Sequence, residues 1–417
     1  MSNTHAFMGP TGAWNVRRAN PGSRESGWPS VAIVHSFYRS ATPSGENNTV
    51  LRQFEILAEA GVDVSLVSVS TDQLLGSPLF SVRTAWGVAQ GSGLDPRPIL
   101  DSLSPEIIHE HNLFPNIATH WLTRYQGRVV ATLHNYRPVC ANGTLSRDGE
   151  PCTLCPDGST FEALRHRCYR GSAIASAPLA WRNRKGILSD GVVHSSDALL
   201  VPSEWMERQY GALGLHDVHV VYQPTTLTTL DTEQASIPKE SNEHWLFLGR
   251  ISKEKGILEL VESWPRAYGL AVLGDGPDMV RLRELAMREG MTVDVYGYVE
   301  QSRMEEILRG SVGLIVPSTW REGAPGIYAD ALARGVAVTG LKGNAVYDMV
   351  KEDGTGVTIE TMSSHNLVRA LEGVSGNREQ LSARCREVYL QRYSPQAWLT
   401  SIRSVYDEVL AGARRKP

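Results

Sequence analysis

No stretch of about twenty apolar residues occurs in the chain, so no segment is long enough to cross a bilayer as a helix. Charge of one sign is not in excess either. Lys and Arg total 41 against 45 Asp and Glu, giving a formal charge of -4 and a pI near 6.3. That balance lacks the basic footprint of a nucleic-acid binder. Residues 1–28 have no apolar core of the kind a signal peptide needs, and their Gly, Asn, Ser and Arg content predicts a disordered tail. The cytoplasm is the expected compartment. The basic end Arg414-Arg415-Lys416 adds only a weak pull toward the inner face of an anionic membrane. The Asp-x-Asp pattern is absent throughout, and cysteine is scarce: four of the five fall at Cys140, Cys152, Cys155 and Cys168.

What is present is the composition of a globular enzyme-sized chain, 417 residues with 41% hydrophobic and 21% charged residues. Short β-branched runs alternate with helix-length segments in two rounds. Strands are predicted at 31–35, 62–69, 107–110, 128–133, 198–201 and 218–222. A second set is predicted at 245–248, 270–273, 293–296, 312–316 and 336–339. This pattern indicates an α/β protein with two parallel, doubly wound sheets, each Rossmann-like. Residues 223–243, rich in Thr, Ser and Pro, read as the linker between a domain at 29–222 and one at 244–393. Residues 394–417 read as a closing amphipathic helix.

Two turns in the second half carry chemistry. Residues 245–256 run Trp-Leu-Phe-Leu-Gly-Arg-Ile-Ser-Lys-Glu-Lys-Gly, a strand, a turn bearing Arg250, and a helix predicted to begin near Lys255. Two cations at such a turn suit a diphosphate, Arg forking two oxygens and Lys acting as a point charge. Residues 321–330 run Arg-Glu-Gly-Ala-Pro-Gly-Ile-Tyr-Ala-Asp, a loop with Glu322 leading into a helix at Gly326 and Ile327 that carries Asp330. Helix-end amides can hold an anion while carboxylates accept hydrogen bonds from hydroxyls. A sugar joined to a phosphate presents both groups. The plainer readings are a solvated charged loop and an ordinary acidic helix start.

Together these residues resemble family 4 of the retaining glycosyltransferases, whose fold is GT-B, two Rossmann-like domains facing across a cleft. That family's mark is a Glu, seven residues and a second Glu, preceded by a Gly-Arg turn with Lys five residues after the Arg. Here the positions are Glu322, Asp330, Gly249-Arg250 and Lys255, with Asp330 one methylene shorter than the family's Glu. The resemblance implies metal-independent transfer of a sugar from a nucleoside diphosphate sugar, with retention, to a glycan, glycolipid or small-molecule acceptor. It implies that Glu322 meets donor sugar hydroxyls, that the Gly326 and Ile327 amides meet sugar or phosphate, and that Asp330 meets the ribose. It places the donor's base near Tyr298, and it implies that the closing helix crosses back to the first domain. Arg250 and Lys255 then supply the positive charge that a divalent ion on Asp-x-Asp supplies in the other main glycosyltransferase fold. No catalytic cofactor is implied, and membrane association is at most peripheral.

The first domain is expected to serve the acceptor and part of the donor. Gly45, between the first strand and a helix predicted at 48–60, would let backbone amides approach a phosphate, although Ser44 as a simple helix cap explains the segment equally. His134 ends the strand 128–133, and by the resemblance it contacts the transferred sugar. His109 and His111 form a His-x-His pair, read as lining a cleft or packed rather than as metal ligands, since no third ligand is implied. Cys152-Thr-Leu-Cys155 with outlying Cys140 and Cys168, in an insert at 136–172, could hold a structural zinc, with reduced thiols or a disulfide as alternatives. Leu273-Gly-Asp-Gly-Pro-Asp278 lacks the third glycine of a dinucleotide fingerprint and is read as positioning the following helix. Two other functions remain compatible with these residues: a nucleotide-sugar epimerase of the same architecture, and a non-catalytic sugar-nucleotide-binding subunit.

Overall fold

A computed structural model describes residues 5–8, 13–23, 27–40, 44–75, 80–148, 150–225, 244–288, 290–320 and 323–412. The chain divides into two compact units, one of Met1–Leu145, Cys152–Tyr222 and Trp398–Pro417, the other of Ser146–Pro151 and Gln223–Ala397.

The first unit is built on strands β1 (His5–Met8), β2 (Asn15–Ala19), β3 (Val31–Phe37), β4 (Val64–Ser70), β5 (Ile107–Asn112) and β6 (Arg128–Thr132). A small antiparallel hairpin, β7 (Ser146–Arg147) and β8 (Glu150–Pro151), follows in the chain. Strands β9 (Ala198–Val201) and β10 (His219–Val220) complete the first sheet in the order β1-β2-β4-β3-β5-β6-β9-β10. From β4 to β10 all neighbours are parallel. Alternation along each strand feeds two cores. In β3, Ala32 and Val34 enter one cluster with Ile108 and Val129, while Val31 and Ile33 enter another with Ile107 and Val130. Burial on both faces explains the nearly unbroken apolar runs. The Pro395–Ala411 helix packs Trp398, Ile402, Val405, Tyr406 and Val409 into the second of these cores.

Residues 1–28 correct the expectation of a disordered tail. Within them β1 and β2 form strands, and β2 pairs antiparallel with β4. The cause is burial and ion pairing that composition hides. Trp14, Val16 and Ala19 are buried, and Arg18 makes a two-pronged contact with Asp63, with Nη2 2.9 Å and Nε 3.1 Å from its carboxylate oxygens. The Gly22 amide donates to the same carboxylate at 2.7 Å.

The second unit contains β11 (His244–Leu248), β12 (Gly269–Leu273), β13 (Val293–Gly297), β14 (Gly313–Val316), β15 (Ala337–Leu341) and β16 (Gly356–Ile359). They form one parallel sheet in the order β13-β12-β11-β14-β15-β16. The chain therefore reverses its direction of winding between β11 and β14, and the loops leaving those two strands border the crevice at which such sheets bind ligands. Most of the expected linker, residues 226–243, lies outside the described residues, whereas Thr225 is fully buried.

Candidate functional site

At the end of β11 the chain makes a tight excursion before any helix starts. Lys253–Lys255 form one 3-10 turn, Gly256 follows in the left-handed region at φ 68°, and the α-helix is Ile257–Glu262. The helix expected to begin near Lys255 thus starts at Ile257, set off from the 3-10 turn by Gly256. The reason is a close backbone crossing: a β-carbon on Gly256 would lie 2.1 Å from the Pro317 carbonyl oxygen. The same loop is tied to the segment after β14, because the Thr319 amide donates to the Glu254 carbonyl at 3.0 Å. Lys255 Nζ stands 5.3 Å from the centre of the Trp320 ring. Arg250, at the start of the same loop, is exposed. Beneath Arg250, the Ile251 amide donates to the Asp275 carbonyl at 3.0 Å and Asp278 donates to Ile251 at 3.1 Å. Gly274 lies against Gly249 so closely that a β-carbon there would be 1.8 Å from the Gly249 oxygen. The Gly-Asp-Gly-Pro turn thus buttresses the cationic loop, a role the sequence did not disclose.

On the other side of the reversal, Gly326–Ala333 is a helix with Pro325 as its N-cap and no side chain capping it. The amides of Gly326 and Ile327 belong to that uncapped first turn, and the space over Gly326 is open. An uncapped helix start concentrates positive partial charge and donors. Its position is fixed from behind by Tyr328, which is fully buried and donates from its hydroxyl to Asp353 at 2.9 Å. Asp330 is 5% exposed, and its Oδ1 accepts from Thr225 Oγ1 at 2.6 Å. Tyr298, just past β13, is 66% exposed. Arg321 and Glu322 lie outside the described residues. Of the second-unit candidates, Arg250 and Lys255 lie on the loop after β11, and the Gly326 and Ile327 amides lie on the helix start after β14. Asp330 is set inward.

In the first unit Gly45 opens the Gly45–Glu59 helix, with Ser44 as its cap accepting from the Asn47 amide at 3.4 Å and open space above Gly45. His134 joins a stacked column of imidazoles. The His109 and His111 ring centres are 4.3 Å apart, those of His111 and His134 5.2 Å. Hydrogen bonds link His109 Nδ1 with the Tyr406 hydroxyl at 2.8 Å and His111 Nδ1 with His134 Nε2 at 2.9 Å. Burial holds these rings neutral. It lowers His109 to about 3, His134 to about 3 and nearby His35 to about 4, the His35 and His109 charges adding to the effect on His134.

Next to that column lies a cavity whose lining includes His111 and His134 together with Glu110, Arg137, Arg182 and Asp190. Burial raises the Glu110 carboxyl to about 8, with the charges of Asp190 and Glu46 pushing the same way. Burial likewise raises Glu46 to about 7. Sequence reasoning passed over Glu110. The available signal was a carboxylate inside a strand otherwise reading as fully buried.

The four clustered cysteines are half-buried and form no disulfide among the described residues. Burial raises the Cys155 thiol to about 11, followed by the charges of Cys140, Cys168 and, less strongly, Cys152. They therefore share one neighbourhood, and four thiols are donors of the kind a zinc ion takes. As placed they do not enclose one: among the described residues no three His, Cys, Asp or Glu side chains are grouped to hold a metal ion. Among the same residues no helix is long and apolar enough to cross a membrane.

Residues 231–388 match the profile described as Glycosyl transferases group 1, and residues 43–228 match Glycosyltransferase Family 4. No curated protein matches the chain. Solved structures with a similar fold include HepE of Anabaena in complex with UDP, at 13% identity and TM-score 0.55, covering 91% of this chain and all of that one. Sucrose-phosphate synthase from Thermosynechococcus elongatus gives 15% identity and TM-score 0.61, covering 92% of this chain and 100% of its own. WaaG, a glycosyltransferase involved in lipopolysaccharide biosynthesis, gives 14% identity and TM-score 0.57 over 92% and 100% of the two chains. At these identities the likeness is one of fold.

Proposed function

Because this chain belongs to the group 1 glycosyltransferases of family 4, a GT-B enzyme family that uses nucleotide sugars, we propose that it transfers the sugar with retention and without a catalytic metal to a glycan, glycolipid or small-molecule acceptor. The observation that carries this reading is the winding reversal between β11 and β14. It sets the Arg250–Lys255 loop and the uncapped Gly326–Ile327 helix start on the two strands bordering one crevice, with the Thr319–Glu254 hydrogen bond joining their loops.

The chemistry follows from charge. When the nucleoside diphosphate leaves, negative charge grows on its β-phosphate while the sugar becomes oxocarbenium-like. Arg250, Lys255 and the helix-start amides are fixed positive groups, so they stabilise the transition state more than the ground state. Stacking of Lys255 near Trp320 limits the ammonium's freedom before the donor arrives. Glu322 would accept hydrogen bonds from the donor sugar's hydroxyls, and Tyr298 and its neighbouring backbone would meet the base. His134 would hold a sugar hydroxyl or offer its carbonyl to the developing positive charge, and Gly45 would admit a phosphate oxygen to the first turn of its helix. Asp330, with one oxygen on Thr225, takes a positioning part in this reading and orders the helix beneath the ribose. A structural zinc on Cys140, Cys152, Cys155 and Cys168 is also proposed, on the strength of their donor chemistry.

HepE was solved with UDP-glucose, which makes uridine diphosphate sugars the first donors to test. Purified protein is incubated with labelled nucleotide sugars, with and without glycan and lipid-linked acceptors. Acceptor-dependent transfer with the donor's anomeric configuration kept is expected. Release of an epimerised sugar, or binding with no turnover against any acceptor, would overturn the proposal.

A further inference from the structure

We propose that an apolar and basic face of the first unit, carried by the helices Phe80–Gln90 and Ala173–Asn183 and the turns flanking the second, docks on an anionic lipid bilayer. The inference goes beyond the transfer reading and does not rest on it, since adsorption to lipid needs neither donor nor acceptor.

The helix Ala173–Asn183 is apolar on both sides, which a solvated surface helix is not. Its Ser176, Leu179, Ala180 and Asn183 are buried. Ile174 and Trp181, seven residues apart, share the opposite side, and the positions between them on that stripe are Ala177 and Pro178. Both are exposed, Ile174 to 87%. The helix Phe80–Gln90 packs against this one and adds Val82 and Trp86, one turn apart, with Trp86 66% exposed. Leu188, in the 3-10 turn Ile187–Ser189, is exposed as well. These side chains stand out from convex surfaces, and none of them lines the cavity next to the imidazole column. A lipid surface accepts such protrusions without a matching groove, and tryptophan favours the headgroup level of a bilayer.

Charge decides which surface. Residues 161–189 contain six Arg and Lys and one acidic residue, Glu162, in a chain whose formal charge is -4. Glu162 lies 3.8 Å from Arg165 and 3.2 Å from His166, and Arg182 is held by Asp190 at 2.6 Å. Exposed Arg167, Arg170, Arg184 and Lys185, with Arg83 on the neighbouring helix, make no ion pair among the described residues. The Arg184 guanidinium stands 3.8 Å from the Trp181 ring centre, so a cation and an apolar anchor are presented together. Cations around an apolar patch match a layer of anionic headgroups. They oppose pairing with the same face of a second copy, where like charges would meet.

The test sediments the full chain with vesicles of phosphatidylcholine, alone or with phosphatidylglycerol added. Binding to the anionic vesicles should exceed binding to the neutral ones about tenfold or more, and should fall as salt is raised. Trp86→Ser/Trp181→Ser and Arg184→Gln/Lys185→Gln should each weaken it about tenfold, while Trp86→Phe/Trp181→Phe should keep it. Vesicles with brominated chains should quench the wild-type tryptophan fluorescence, and the Phe pair should lose most of that quenching. No binding, equal binding to both vesicle types, or full retention in the Ser or Gln pair would overturn the proposal. So would binding that disappears when Arg414, Arg415 and Lys416 are changed to Gln, or self-association in solution that the Ser pair abolishes. Should the Ser pair not fold, unchanged quenching in the Phe pair would overturn it alone. UDP binding measured without vesicles separates this claim from the transfer reading: its absence from wild type would remove the transfer reading and leave vesicle binding standing.

Discussion

Gly256 and Pro317 cross at backbone distance: a β-carbon on Gly256 would sit 2.1 Å from the Pro317 carbonyl oxygen, in a residue whose φ of 68° already favours glycine. The crossing packs the loop after β11 against the end of β14, and the donor-side geometry depends on it. Gly256→Ala should therefore destabilise the second unit by about 2 kcal/mol or more, combining left-handed strain with a backbone clash. Thermal unfolding would register this, and an unfolding temperature equal to wild type would show that the loop can move aside.

Lys255→Ala removes a fixed cation without disturbing that crossing. Transfer should fall about a hundredfold, or about 3 kcal/mol of transition-state stabilisation, with little change in unfolding. Glu322→Ala should also depress transfer strongly. Steady-state rates with a saturating donor check both, and wild-type turnover in either would take that residue out of the donor site.

The buried titrating groups of the first unit oppose one another in pH. His35, His109 and His134 titrate lower in the fold, at about 4, 3 and 3, than their ordinary value of 6.5. As pH falls below 6.5 the unfolded chain takes up protons first, so their contribution is complete above 6.5 and declines down to 3–4. Glu46 and Glu110 run the other way. Raised from 4.5 to about 7 and about 8, they favour the fold below 4.5, and this is lost as pH rises through 7–8. Stability should peak on the mildly acidic side, between 4.5 and 6.5, with Glu110→Gln flattening the alkaline limb. Denaturant midpoints across pH measure this, and a maximum above pH 8 would contradict it.

Metal analysis addresses the cysteines. The proposed structural zinc predicts about one zinc per chain, lost in Cys152→Ser/Cys155→Ser together with several degrees of thermal stability. Metal-free protein with four titratable thiols in this cluster would remove zinc from the account.

The residues themselves determined the alternation of strand and helix. Runs such as Val31–Phe37 and Gly269–Leu273 must be buried on both faces, and β-branched and aliphatic residues packed that way specify parallel strands without outside help. The spacing of Arg250, Lys255, Glu322 and Asp330 likewise carried the family, because charge chemistry at two turns is written locally. Other features were decided by contacts distant in sequence. Asn15–Ala19 became a strand because Asp63 and the β4 edge captured it, and its two arginines disguised the period-2 pattern. Asp330 turned inward because Thr225 lies over it. Glu110 became an unpaired acid in a cavity because Arg182 was already bound to Asp190, eight residues further along the chain. Burial and partner choice depend on which segments meet, and only the tertiary structure fixes that.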